Sequence, residues 1–499
     1  MILDHHGKPI IAAGAQDIGP LYEAGSTSDR MGHWGLSGSG PNAGQGGLVA
    51  VRKRSRQSER NNPSAKGAID SFVSNMVGEA ITPEWQLDNK EQKKEIKSLW
   101  GDSQAQLDYM GYSNFYGQQE LVARSMVRDG EALGVVHELP PSVKRYVPIQ
   151  FQLLEADHLD PNYNDISPDG NEIRHGIEFE NGRPVKYWLY DNHPGENFLS
   201  SSGFKRTPID RDDLFHVFRL TRAGQCRGLG FLATVITKLH DIDIYDDAEV
   251  VRKKVAALWG GFIYQDGQLD PGNMGGQPGS KTNGTQSIEL KAGTFPVLRN
   301  GMKIAFNETA DVGNNYKDFM RVQFRRIARG IGITYEQLTG DLEGVNYTSL
   351  RAGLIEFRRL CETIVARTLV FQFCRPAIDR WIRSAVLNGA LSTISPAQYL
   401  ANVREFHRVD WHPHGWAFTD PVKDRVAEFM DNRNGLDSRR KQAARRNRSV
   451  ENIDQENAED MQRAMDHGLA YDCYPSQTNK SGTMQKIQEK TILESTEVD

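Results

Sequence analysis

Between Phe231 and Trp259 the chain contains neither Pro nor Gly. That stretch, FLATVITKLHDIDIYDDAEVVRKKVAALW, predicts a single long helix. Leu232, Val235, Ile236, Leu239, Ile242 and Tyr245 recur every three or four residues and form one apolar stripe. At ~1.5 Å per residue the helix would span about 45 Å. Its middle, DIDIYDDAE, holds five acids and no base. Asp241, Asp243, Asp246 and Asp247 therefore belong to a face left to solvent or to a neighbour.

A second helical segment begins near Asn315, with Phe319, Val322, Phe324, Ile327 and Ile331 on its apolar side. Arg321, Arg325 and Arg329 fall at i, i+4 and i+8, so three guanidinium groups share one face and repel unless something anionic meets them. A phosphate backbone would serve, as would the acids of a neighbouring helix, and the acids are favoured. Thr334 and Gln337 have capping-box spacing for a short helix. The sequence GDLEGVNYTSLRAG (340–353) then breaks the helical pattern with a polar loop. Leu350, Leu354, Phe357, Cys361, Ile364, Val365, Thr368 and Leu369 resume it at once. Pro376 predicts a kink, after which Ile378, Trp381, Ile382 and Ala385 continue the stripe.

The N-terminal part reads as an α+β unit. Residues 24–47 are rich in Gly and Ser and cannot offset their ordering entropy by burial. Arg52, Lys53, Arg54, Arg56 and Arg60 follow, either a solvated face or a contact with nucleic acid. Asn62-Pro63 predicts a helix start, with Ala65, Ala68, Ile69, Phe72, Val73 and Met76 inward and an end at Gly78. Further helices are expected over about 90–110 and 115–129, the latter carrying Leu121, Val122 and Met126. Strands are expected at 132–139, 149–156, 176–180, 185–190 and 214–220, with turns between several of them, and again within 288–306.

Hydrophobic residues make up 38 % of the 499, which is low for one compact body of that size. The expectation is an elongated molecule, or one that buries surface against copies of itself. The net charge of −5 leaves only local patches to meet a polyanion. Cys226, Cys361, Cys374 and Cys473 form no metal-ligand spacing, and no apolar run is long enough to cross a membrane. GGQPGSKT, within the low-complexity stretch 266–287, fails as a phosphate loop: Ser280 stands where Gly must precede Lys281, and no helix follows. Asp410, His412 and His414 in VDWHPHGW are the main candidate for a metal-dependent nuclease or recombinase; the run Asp241–Asp247 could hold Mg²⁺ but lies on one helix face, whereas two-metal sites draw carboxylates from several elements. The intervening Pro413 and the flanking Trp411 and Trp416 favour a packed, extended segment instead. No cofactor is expected. Arg439, Arg440, Lys441, Arg445, Arg446 and Arg448 form a basic cluster with no acid after Ser438, a helix cap by type.

Taken in order, several blocks resemble the lambda-family portal proteins of tailed bacteriophages. They include WGLSGSGPN, RNNPSAKGAIDSFVSNMVG, LVARSMVRDGEALGV, HVFRLTRAGQCRGLGFLATVITKLHDIDIYDDAEVVRKKVAA and ARGIGITYEQLTGDLEGVNYTSLRAGLIEFRR. The resemblance covers roughly residues 20–450 and is most specific around 333–353. It implies an α+β portal fold with these parts: a flexible arm (1–57), an α+β wing (58–228), stem helix one (229–260), a β-containing clip (261–308) and stem helix two (309–333). A tunnel loop with a long kinked helix (334–425), a C-terminal helical, crown-like region (426–475) and a disordered tail (476–499) complete it. The resemblance further implies a homo-oligomeric ring of about twelve subunits at one capsid vertex, in the virion and, during assembly, in the bacterial cytoplasm. Its partners would be double-stranded DNA in the channel, the terminase large subunit, the major capsid protein and head–tail adaptor proteins, with no membrane and no enzymatic role. Asp341, Leu342, Glu343, Gly344, Val345, Asn346, Tyr347 and Thr348 would form the tunnel loop. With two acids and no Lys or Arg over 340–349, that loop is expected to repel DNA. The acidic face at 241–247 and the arginine stripe are expected to meet between subunits.

Overall fold

The computed structural model describes residues 40–42, 47–140, 142–196, 205–258, 262–265, 302–305, 315–416, 421–446 and 448–469. The expectations for most of the arm, for the loop 266–287 and for the tail 476–499 lie outside these residues. The first elements are α1 (Leu48–Asn61) and α2 (Pro63–Met76), with Asn62 extended between them. Its side chain accepts the Ala65 N–H, so one residue ends the first helix and caps the second. The expected stripe of α2 is wholly buried. Strand β1 (Thr82–Trp85), α3 (Lys90–Ser103) and α4 (Phe115–Asp129) follow, the two helices capped by Asn89 and Asn114. Three expectations need correction. Order begins before Asn62, because Arg52 and Ser55 of α1 find buried partners. The helix begun at Lys90 stops at Ser103 and passes into a 3₁₀ turn. Leu121 is exposed, since Val122, Ala123 and Met126 take the inward face.

Strands β2 (Glu131–Glu138), β3 (Ile149–Glu155), β4 (Asp165–Ile166), β5 (Glu172–Arg174), β6 (Ile177–Glu180), β7 (Arg183–Tyr190), β8 (Arg206–Asp210) and β9 (Leu214–Phe218) make two antiparallel sheets, ordered β3-β2-β9 and β4-β5-β6-β7-β8. Central β2 is buried on both faces. Ala132 and Val136 join the main core with α2 and α4, while Leu133 and Val135 join a smaller core with Leu159, Ile177, Tyr187 and Leu189. The alternation of the pleat thus ties the two cores together.

The long Pro- and Gly-free segment opens with a 3₁₀ turn (Phe231–Thr234) and becomes α5 (Ile236–Leu258), 23 residues rather than the full stretch. Its inner stripe is buried as expected through Ile242. The pair β10 (Phe262–Gln265) and β11 (Met302–Ala305) and helix α6 (Asn315–Ile331) come next. α6 returns beside α5: Tyr245 lies 6.1 Å from Tyr316 and 5.2 Å from Phe319, centroid to centroid. A Cβ on Gly330 would sit 2.5 Å from Val235 Cγ1, so glycine permits the close crossing at the base of the pair.

α7 (Tyr335–Thr339) carries the expected Thr334–Gln337 capping box. α8 (Tyr347–Ile364) does not simply kink at Pro376. It runs into ten residues of π-helix, Val365–Cys374, and then into α9 (Arg375–Leu387). The Arg375 N–H bonds the Val370 carbonyl five residues back, so the turn just before Pro376 is wider than that of an α-helix. Gln372 on that turn accepts the Phe218 N–H of β9. The remaining elements are α10 (Pro396–Ala401), α11 (Val403–Phe406), β12 (Val409–His412), α12 (Pro421–Arg433), α13 (Arg439–Ala444) and α14 (Val450–Asp466). β12 pairs with β1, Asp410 opposite Glu84 and His412 opposite Thr82. Among the described residues no helix is long and apolar enough to cross a membrane.

Candidate functional site

The loop between α7 and α8 covers residues 340–346. Gly340 and Gly344 both adopt φ of +71°, the left-handed region that favours glycine, and each would leave an added Cβ in open space. Leu342 is 65 % exposed. Asn346 accepts the Thr348 N–H and so starts the next helix. The loop is fixed at its base. Asp341 accepts the Tyr335 hydroxyl at 3.1 Å and the Glu343 N–H at 2.9 Å, and these bonds lower its pKa. Glu343 meets Lys317 Nζ of α6 at 2.6 Å.

Within the subunit one of the loop's two acids has a cationic partner: Lys317, 26 residues earlier, forms an exposed ion pair with Glu343. Arg321 favours the ionised form of Asp341.

Within one subunit the acids of α5 and the arginines of α6 find other partners. Asp243 accepts both short contacts from Asn62 Nδ2, at 2.8 Å each, and Asp246 accepts the Tyr316 hydroxyl. Asp241 and Asp247 are exposed. Arg321 and Arg325 flank the Tyr335 ring at 5.8 and 5.6 Å, and Arg329 lies 3.6 Å from Glu356. Among the described residues none of these four aspartates pairs with any of these three arginines within a subunit. The outer end of the pair keeps apolar side chains uncovered: Ile244, Val251, Phe319 and Val322 are all exposed.

At the start of β2, beside the turn that leads into α5, a charged cluster that sequence reading missed lies in the interior. Glu131 is wholly buried at the start of β2. It accepts from Arg52 Nη2 at 2.7 Å, Arg227 Nε at 3.0 Å, His216 Nε2 at 2.9 Å and the Gly228 N–H at 3.1 Å. Burial alone would raise its carboxyl, but Arg227 and His216 hold it well below the ordinary value. Burial lowers the pKa of His216, whose Nε2–H donates to the Glu131 carboxylate. Around them Arg56 binds Asp129 at 2.9 Å and Asp157 at 2.5 Å, and Arg128 binds Asp129 and Glu155 at 2.7 and 2.9 Å. Arg52, Arg56, Arg128 and Arg227 thus face Asp129, Glu131, Glu155 and Asp157, four cations against four anions. The basic run of α1 is therefore split: Arg52 and Arg56 are internal, whereas Lys53, Arg54 and Arg60 are exposed. A Cβ on Gly228 would lie 2.0 Å from the Gly130 carbonyl oxygen, so the backbone itself crosses at this joint.

The enzyme candidate fails on geometry. Asp410 and His412 belong to β12, Arg440 approaches Asp410 at 3.9 Å, and His414 packs on Trp416 with ring centroids 4.8 Å apart. Among the described residues, the ligand atoms brought within 4.8 Å of one another are those of Glu155, Asp157 and His193, and Arg56 already occupies both carboxylates. The C-terminal basic cluster is also largely compensated. Arg439 binds Asp454, Arg445 binds Asp437, Arg446 binds Glu428, Arg448 binds Glu456, and Arg440 reaches Gln86. α14 and its neighbours supply the acids that the cluster lacks locally. Free Cys361 and Cys374 are buried, and burial pushes Cys361 up to about 12.

Among solved structures, a chain of "Neck of native GTA particle computed with C12 symmetry" is similar at 14 % identity and a TM-score of 0.43, covering 79 % of this chain and 91 % of that one. Among curated proteins, the probable portal protein of Halomonas phage phiHAP-1 is 27 % identical over 392 residues, covering 75 % of this chain and 72 % of its own. Portal protein B of Escherichia phage lambda is 21 % identical over 399 residues, covering 73 % of each. The portal protein of Escherichia phage N15 is 22 % identical over 438 residues, covering 79 % of this chain and 80 % of its own. The family model "Phage portal protein, lambda family" matches residues 27–364. The chain therefore belongs to the lambda family of phage portal proteins, structural components of tailed phages rather than enzymes.

Proposed function

We propose that copies of this chain close into a ring at one vertex of the capsid and that double-stranded DNA passes through its centre during packaging and ejection. α5 and α6 form the stem, β10 and β11 belong to the clip, and residues 340–346 face the channel. The ring presents docking surfaces for a terminase motor, the major capsid protein and head–tail adaptor proteins, and it resides in the virion. The observation that supports this reading best is the stem pair. It is anchored to the wing by buried charge at one end and leaves Ile244, Val251, Phe319 and Val322 uncovered at the other. Uncovered apolar side chains along a paired helix fit contact with the next subunit.

The loop then works by not gripping. Phosphate contacts repeated around a ring would sum into a trap, because each releases counterions. With Glu343 held by Lys317, the loop is a collar that leaves no cation free to seize the backbone. Class averages of negatively stained particles, viewed down the axis, test the ring: a closed annulus with an opening wide enough for a duplex is expected, and only monomers or open chains would overturn it. The variant Asp341→Lys/Glu343→Lys tests the collar. Its rings should form normally, and packaging should slow at low salt and recover at high salt. Packaging at the normal rate in low salt would remove the collar from the mechanism.

A further inference from the structure

One groove has a charge pattern that neither the fold nor the channel requires. It runs between α1 and the turns on either side of β4–β7, with a volume of about 610 Å³, within the range of ligand sites. Lys53, Arg56, Gln57 and Arg60 form one wall, at helical spacing. Pro161, Tyr190, His193 and Pro194 form the other. The acids in the groove are already engaged: Asp157 by Arg56 at 2.5 Å and Asp160 by Arg206 at 2.8 Å. Lys53 and Arg60 are exposed and have no carboxylate partner among the described residues. At the base, Arg52 is 1 % exposed and is engaged by Glu131 at 2.7 Å and Asp157 at 3.7 Å. The groove is therefore short of anions and has one apolar, proline-rich wall.

The sequence contains a segment of matching chemistry. Thr491–Asp499, TILESTEVD, carries Glu494, Glu497 and Asp499 with no base, and Ile492, Leu493 and Val498 between them. No other nine-residue stretch outside the described residues has three acids and no base. The description ends at Leu469, 22 residues before Thr491, a contour of roughly 75 Å at full extension.

We propose that Thr491–Asp499 docks in this groove, its carboxylates on Lys53 and Arg60 and its aliphatic side chains on Pro161, Tyr190 and Pro194. The segment would then cover the buried charge cluster where the stem meets the wing.

Photo-crosslinking in the full-length, nuclease-treated protein tests this. A benzoylphenylalanine at position 57 is irradiated, and the product is digested with trypsin, which cleaves after Lys490. The expected product joins the peptide bearing position 57 to Thr491–Asp499, whereas a probe at the exposed position 54, outside the groove, gives none. Lys53→Glu/Arg60→Glu should lower the yield about five-fold, since two exposed ion pairs are lost. Both residues are exposed, so the fold should survive, as circular dichroism would report. Adding Glu494→Lys/Glu497→Lys should restore the yield, read there on the shorter tryptic peptides within 491–499 that the new lysines create. A crosslink to any other segment, no crosslink at position 57, or a yield unchanged in the Lys53→Glu/Arg60→Glu variant would overturn the proposal.

Discussion

The joint at the start of β2 and the loop 340–346 are both held by ion pairs, yet the two differ in depth. At the joint, Glu131 is wholly buried among Arg52, Arg227 and His216. At the loop, Lys317 and Glu343 are 64 % and 71 % exposed as side chains. Buried charges have lost their water and depend on each other, so removing one leaves the rest uncompensated. Exposed charges exchange a partner for solvent at little cost. The same residue types thus make a rigid anchor in one place and a releasable catch in the other.

The comparison breaks first at Glu131. Glu131→Gln should destabilise the wing by about 3–5 kcal/mol, read as a lower midpoint in denaturant at pH 7. The loss should itself depend on pH. A carboxyl whose folded pKa is depressed contributes stability that is full above its ordinary value, 4.5 here, and that fades as the pH falls through the lowered one. The gap between the native protein and Glu131→Gln should therefore narrow below about pH 4.5, and a gap constant from pH 7 to pH 3 would show that the carboxylate is not the anchor.

Asn62 lies between the two extremes. It caps α2 and also reaches Asp243 of the stem. Asn62→Ala should cost about 1–2 kcal/mol, mostly the cap. Asn62→Ser keeps a capping oxygen but is too short for Asp243, so it should recover most of that loss. If serine rescues nothing, the link to the stem outweighs the cap.

The smallest effect belongs to the loop. Lys317→Ala should leave the melting temperature unchanged within error, while cleavage by a protease within 340–346 becomes faster. A clear drop in melting temperature would mean that the catch carries load like the joint.

The contrast also explains what could be read from sequence. The caps at Asn62 and Thr334 were legible because each acts on an amide within three residues. The inner stripe of α5 was legible because burial repeats along one helix. The joint was not, since Arg52 and Glu131 are 79 residues apart and only the tertiary fold reveals that a basic run is internal. The compensation of Glu343 was hidden for the same reason. The π-helix was hidden differently: Val365, Thr368 and Leu369 fit a spacing of three and four, and only the hydrogen bonds reveal the wider turn. Leu121 follows the apolar pattern but lands outside, because three neighbours fill the inward face.

That wider turn has a mechanical consequence. From Tyr347 to Leu387 the chain is one unbroken rod with the loop at its free end and the wing core around its far half. In the ten π residues each amide reaches back five places rather than four, so every turn holds more chain for less length. A rod with such a section carries its own slack. If the loop end is pulled or twisted, amides there can trade one acceptor for the next, yielding length and rotation while each stays bonded, and the strain need not reach Ile378 and Trp381 in the core.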